Sequence, residues 1–171
     1  MMDNNARLIA FYRGEGHDHK GRLLEEIWSL SPFWLEHTHD YIQWLFPIPE
    51  AGRFNGFAPL LTPTVKTAFE GSDIMRQHQQ RSLEVMLDFF GLTREENGIV
   101  AQPTLAMPTH IWLKAGGHNH LRISRIIRSL VLCHQPDLAR AFQQAVMEIG
   151  IKQGVVSDTS IQFWREAIPC T

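Results

Sequence analysis

The stretch HDYIQWLFPIPE, His39–Glu50, decides how the rest of the chain is read. Within eight residues it holds Tyr41, Trp44, Phe46, Ile42 and Ile48, and it stops on Pro47 and Pro49. On a helix, Tyr41, Trp44 and Leu45 face one way and Ile42 and Phe46 roughly the other, so nearly every side is apolar. A helix of that kind is packed against neighbours all round. Each Trp, Tyr or Phe buried there contributes on the order of 1.5–3 kcal/mol from area alone. The prolines keep it from continuing into solvent. A membrane foot needs a basic polar face, which this stretch lacks. It is read as a buried central helix, with one aromatic edge lining a pocket as the alternative.

Periodicity on both sides of this stretch is helical, and no segment sustains a period of two. Asp3 is placed to cap a first helix carrying Leu8, Phe11 and Tyr12. Residues 22–30 align Leu23, Leu24, Ile27 and Trp28. Ser31-Pro32 and Thr62-Pro63 are start signals, Ser or Thr as N-cap and Pro at the first helical position. Ser72 opens a long helix with Leu83, Met86, Leu87 and Phe90 on one side, and Gly91 stops it. Residues 118–132 carry the stripe Ile123, Ile126, Ile127, Leu130 and Val131. Pro136 begins another helix, through Phe142, Val146 and Ile149 to Gly154, and a short one follows Asp158. Stretches 47–61 and 92–117, rich in Pro and Gly, are expected as ordered loops or single turns. Thr93-Arg94-Glu95-Glu96 reads as a capping box for one turn. The expectation is an all-α fold: a single compact domain over 1–171, about seven helices around the aromatic-rich central one.

The totals agree with a globular chain. With 171 residues, 44% hydrophobic and 20% charged, folding buries roughly 70% of the unfolded surface. Two cysteines, Cys133 and Cys170, make no disulfide framework, and a reducing compartment is the simpler reading. No signal peptide is expected from the opening residues, and Arg128 interrupts the apolar run IIRSLVL before it reaches membrane-spanning length. A soluble, cytoplasmic protein is expected. A net charge of −2 offers no global basic field, so nucleic acid is not an expected partner. The charge is unevenly spread. Residues 1–96 carry fourteen acids against nine bases, whereas 97–136 carry no acid, four bases and four histidines.

Four features of the sequence could carry chemistry. Six of nine histidines form His-x-His pairs, 17/19, 37/39 and 118/120, whose members diverge on a helix. Glu36 and His39 have the Glu-x-x-His spacing of di-iron bundles, but no second pair accompanies them. A site joining His39 to His118 or Asp40 is the metal arrangement left open, and hydrogen-bonded histidines at helix starts are the plainer reading. No nucleophile elbow or Walker loop occurs, and GEGHDH has His19 where a dinucleotide fingerprint needs its third glycine. GGHNHLRISRIIR, residues 116–128, is the best binding candidate. Its helix start carries unsatisfied N–H groups and partial positive charge, and Arg122 and Arg125 are expected on the side opposite the isoleucines. Those arginines either meet an anion or pair with the acids of residues 1–96.

These motifs carry a resemblance. LEHTHDYIQWLFPIPE, with His39 before Tyr41-Ile42-Gln43-Trp44-Leu45-Phe46-Pro47, resembles the most recognisable segment of the opioid growth factor receptor family's conserved N-terminal domain. Phe11-Tyr12, Leu61-Thr62 with Phe69, and Glu84, Met86-Leu87, Phe89 and Gly91 are similar to its other helices. His118-Asn119, Leu121-Arg122-Ile123 and Arg125-Ile126 resemble its second hallmark. The likeness runs from about residue 8 to about 150. It implies a receptor-type, non-enzymatic role: animal members are named for binding an enkephalin-type peptide, act in growth regulation and associate with nuclei and nuclear membranes. Ending at Thr171, the chain resembles the bare module without the family's long acidic, repeat-rich tail.

The resulting expectation is a binding module without cofactor or metal. It contacts a peptide, protein or small anion around His39, Gln43, His118, Asn119, Arg122 and Arg125. The alternatives are a metal-binding protein or enzyme using the same histidines, and a structural homodimer subunit.

Overall fold

A computed structural model of the chain describes residues 2–53 and 55–169. The described chain is mostly helical and falls into two compact units. One runs to Ser82 and takes in Leu132–His134; the other comprises Leu83–Val131 and the chain from Gln135 onward. Helix α6 (Asp73–Phe89) contributes its first part to the former and the remainder to the latter.

The first unit holds α1 (Asn4–Tyr12), α2 (Leu24–Trp28), α3 (Pro32–His37), α4 (Ile42–Leu45) and α5 (Pro63–Gly71). The expected caps are in place: Asp3 accepts from the Ala6 amide at 2.7 Å, and Ser31 and Thr62 cap α3 and α5 ahead of their prolines. The opening stretch is interior. Tyr41, Leu45 and Phe46 are fully buried and Trp44 is 3% exposed. Its helix is shorter than periodicity implies, four residues ending before Pro47. Polar bonds lock it from outside. The Tyr12 hydroxyl donates to the Leu45 carbonyl and the Tyr41 hydroxyl to the Leu35 carbonyl at 2.7 Å. Phe11 meets Trp44 edge-on at 5.1 Å, and Tyr12 meets Phe69 at 5.2 Å. Beyond Pro47 a bridge pairs Ile48 with Leu60.

The second unit holds the hairpin β1 (Leu92–Glu95) and β2 (Gly98–Ala101), a 3-10 turn at Ile111–Leu113, α7 (His118–Leu132), α8 (Pro136–Lys152) and α9 (Asp158–Glu166). Its core gathers Phe90, Trp112, Phe142 and Trp164 with the α7 residues Ile123, Ile126, Ile127 and Leu130. The Trp112 indole donates to the Phe90 carbonyl at 2.7 Å, which ties the end of α6 to the 3-10 turn.

The all-α expectation is corrected at the hairpin. Residues 93–96 are not a capped helical turn: Thr93 faces Val100 and Arg94 faces Ile99 across an antiparallel ladder. Strands of four residues are too short for alternation to register. The signal that was available is Asn97-Gly98, a hairpin-turn dipeptide, and Gly98 takes a φ of 138° open chiefly to glycine. Nine α-helices are present among the described residues, more than the seven or so expected. Three of them, α2, α3 and α4, have four to six residues each.

Candidate functional site

The six residues expected to bind fall in different units. His39 and Gln43 belong to the first; His118, Asn119, Arg122 and Arg125 belong to the second. His39 is exposed, whereas Gln43 is buried and donates from Nε2 to the His39 carbonyl at 3.2 Å. Helix α3 ends at His37 and Thr38 is extended, so Glu36 and His39 do not share a helix and the Glu-x-x-His spacing has no structural counterpart.

In α7, His118 is exposed at the first position, after Gly117 at φ 129°. Asn119 and Arg122 are buried, at 3% and 5% exposure, and Arg122 Nη1 donates to Asn119 Oδ1 at 3.2 Å. The expected placement of Arg122 opposite the isoleucines is therefore corrected. Residue 122 lies one turn before Ile126 on the same edge, and α7 buries a band wide enough to include Asn119, Arg122 and Ser129. Arg125 is half-buried. The structure thus brings Asn119 and Arg122 into contact, at the helix start that carries His118.

The His118/His120 pair diverges. His120 is buried, with Nε2 2.7 Å from the Trp112 carbonyl and Nδ1 2.7 Å from Ser160 Oγ. A carbonyl only accepts, so Nε2 carries the proton and the Ser160 hydroxyl donates to Nδ1. Desolvation lowers the His120 pKa below its ordinary value, opposed by the backbone bonds at Trp112 and Lys114. The Trp164 indole donates to the His120 carbonyl at 3.0 Å, which closes a clasp among the 3-10 turn, α7 and α9.

Asp40 does not meet His39. It meets His19, whose Nε2 lies 3.1 Å from Asp40 Oδ2, and Arg22, whose Nη1 reaches Asp40 Oδ1 at 3.1 Å. Arg22 Nε also donates to buried Asp18 at 2.7 Å. His19 stacks on Phe57 at 4.7 Å and on Trp44 at 6.0 Å. This cluster escaped sequence reasoning because Asp18-His19 and Asp40 are separated by two helices. Among the described residues, no three His, Cys, Asp or Glu side chains gather closely enough to hold a metal ion. Cys133 is buried as a free thiol, and Cys170 lies outside the described residues. An open groove of ≈ 360 Å³ between the hairpin and the start of α8 is lined by Arg94, Glu95, Glu96 and Asp137 and by none of the six expected residues.

The model of the opioid growth factor receptor (OGFr) conserved region matches residues 6–170. The chain belongs to the opioid growth factor receptor family. The opioid growth factor receptor of Mus musculus is 33% identical over 172 residues, covering 95% of this chain and 27% of that protein. The receptor of Homo sapiens is 35% identical over 71% of this chain and 19% of its own length. Opioid growth factor receptor-like protein 1 of Xenopus tropicalis is 32% identical over 78% of this chain and 25% of its length. The chain therefore spans about a quarter of the mouse relative. No solved structure matches it. The family match extends past the stretch of resemblance into α9, so the His120–Ser160 clasp lies within the opioid growth factor receptor region. Among the described residues no helix is long and apolar enough to cross a membrane.

Proposed function

We propose that the chain is a non-enzymatic binding module, the counterpart of the conserved region in relatives named as receptors. Its partner is a peptide or small anion met at the start of α7 by His118 and Arg125, with Asn119 and Arg122 as positioning groups. His39, held near Gln43, is a separate contact point in the first unit. The observation that carries the reading is the Asn119–Arg122 bond. It fixes a guanidinium in the turn where α7 presents backbone N–H groups and a partial positive charge, next to an exposed imidazole. A carboxylate is the complementary group.

Titration calorimetry of the full chain against short peptides with free or amidated C-termini tests this. The free carboxylate should bind more tightly, and His118→Ala with Arg125→Ala should weaken it about ten-fold, the effect of losing one charge-assisted bond. Equal affinity for the two peptide forms, or no change in the variant, would remove the α7 assignment.

A further inference from the structure

The first unit contains a pair of buried polar atoms that no protein group among the described residues satisfies: His19 Nδ1 and Trp44 Nε1. Such atoms are uncommon in native proteins, where buried polar groups nearly always find a partner. Their hydrogen-bonding characters follow from their surroundings. His19 Nε2 faces a carboxylate oxygen of Asp40, which only accepts. In the neutral imidazole the proton therefore sits on Nε2, and Nδ1 presents a lone pair. An indole N–H only donates, and Trp44 is 3% exposed. The two rings are nearly parallel, 9° apart, and Phe57, itself half-buried, stacks on His19 at 16°. Charge in this cluster is already balanced. Arg22 bridges Asp18 and Asp40, and Arg7 lies 5.6 Å over the Trp44 ring while donating to the Asp18 carbonyl.

We propose that His19 and Trp44 form a recognition point for a neutral hydroxyl group on a flat apolar ligand. One hydroxyl oxygen accepts from the indole while its hydrogen goes to the imidazole. A carboxylate cannot donate to His19, and an ammonium cannot accept from Trp44. Phe57, half-buried and stacked on His19, offers the exposed part of its ring to a flat group beside that hydroxyl. The proposal rests on the reading of the chain as a binding module and adds a contact separate from the α7 face. Water shares the O–H chemistry, so the test must tell the two sources apart.

The full chain labelled with ¹⁵N-tryptophan is titrated with phenol and with anisole, the Trp44 indole resonance being assigned with Trp44→Phe. Phenol should shift that resonance saturably. Anisole, which accepts but cannot donate, should bind about ten-fold more weakly, the equivalent of one hydrogen bond. His19→Phe keeps a ring in the stack and should erase the preference. If that variant does not fold, Asp40→Asn serves instead, because an amide donating to Nε2 moves the imidazole proton to Nδ1 and removes the acceptor. Equal phenol and anisole affinities, a preference unchanged in both variants, or no saturable shift would overturn the proposal. So would a Trp44 indole that cross-relaxes with one long-lived water and ignores phenol. The phenol response should persist in His118→Ala with Arg125→Ala, so this site and the α7 face fail separately.

Discussion

Replacing His120 with Phe isolates what the clasp in the second unit contributes. The aromatic ring stays beside Trp164, 5.1 Å away and edge-on, so little apolar area is lost. Both imidazole bonds go. The Ser160 hydroxyl is part-exposed and keeps Ser157 Oγ at 3.3 Å, but the buried Trp112 carbonyl loses its 2.7 Å donor. An acceptor left unpaired in the interior costs about 1–3 kcal/mol. With a urea dependence of about 1–3 kcal/mol/M, the unfolding midpoint at pH 8 should fall by roughly 1 M. The pH dependence is more diagnostic. Burial holds the folded His120 pKa below the ordinary 6.5, so as the pH drops the unfolded chain takes up the proton first. The stability tied to neutral His120 is whole above about pH 6.5 and is lost as the pH falls toward the folded pKa. His120→Phe has no such group. The gap between wild type and variant should therefore narrow from pH 8 to pH 5, measured as urea midpoints by tryptophan fluorescence. A gap that stays constant or widens would refute the tautomer and burial argument together.

Other perturbations test other joints. Gly154→Ala sets a Cβ 2.5 Å from the Leu113 carbonyl oxygen, a backbone atom that cannot swing aside, and should lower stability by about 1–3 kcal/mol in thermal melts. Gly116→Ala, with nothing within 4 Å, should stay within about 0.5 kcal/mol of wild type. Burial raises the Tyr12 pKa well above 10, so the unfolded phenol ionises first and stability should fall as the pH rises past 10; Tyr12→Phe should flatten that alkaline limb in urea midpoints. Arg22→Ala strands Asp18, 1% exposed, without its guanidinium, and should destabilise by about 3 kcal/mol in urea titration.

Helix starts were legible because their signals are local. Asp3, Ser31 and Thr62 each accept a backbone N–H inside the turn they open, and proline follows two of them at once. The interior placement of Trp44 and Phe46 was legible from an apolar run with no polar side. The hairpin was hidden by its length. Arg122 was misplaced for a subtler reason: a stripe of three isoleucines with Leu130 and Val131 marks the centre of the buried band of α7 and not its edges, and a buried arginine looks polar in a sequence. The cluster of Asp18, His19, Arg22 and Asp40 depends on how two loops fold back, which no periodicity records.

The segment by which the family is most readily recognised, Tyr41 through Pro47, is buried at every position. Side chains enclosed in this way specify packing before they specify partners. Likeness in that segment is therefore information about the scaffold, and a shared receptor name travels with it as a name. On the two proposals made above, selectivity resides where buried and exposed atoms meet: around the start of α7, where Arg122 is held by Asn119, and at Phe57 over His19 near the Trp44 indole. The second of these joins the hallmark itself to the proposed ligand, through the Trp44 indole N–H, a buried donor that finds no acceptor among the described residues. Trp44→Phe separates the two roles. It preserves ring packing against Phe11 and should leave the fold near wild-type stability, since an unpaired N–H is removed and no bond is broken. A loss of more than about 3 kcal/mol in urea titration, the range for emptying a core aromatic site, would mean that the smaller ring does not refill the space and that Trp44 acts chiefly as scaffold.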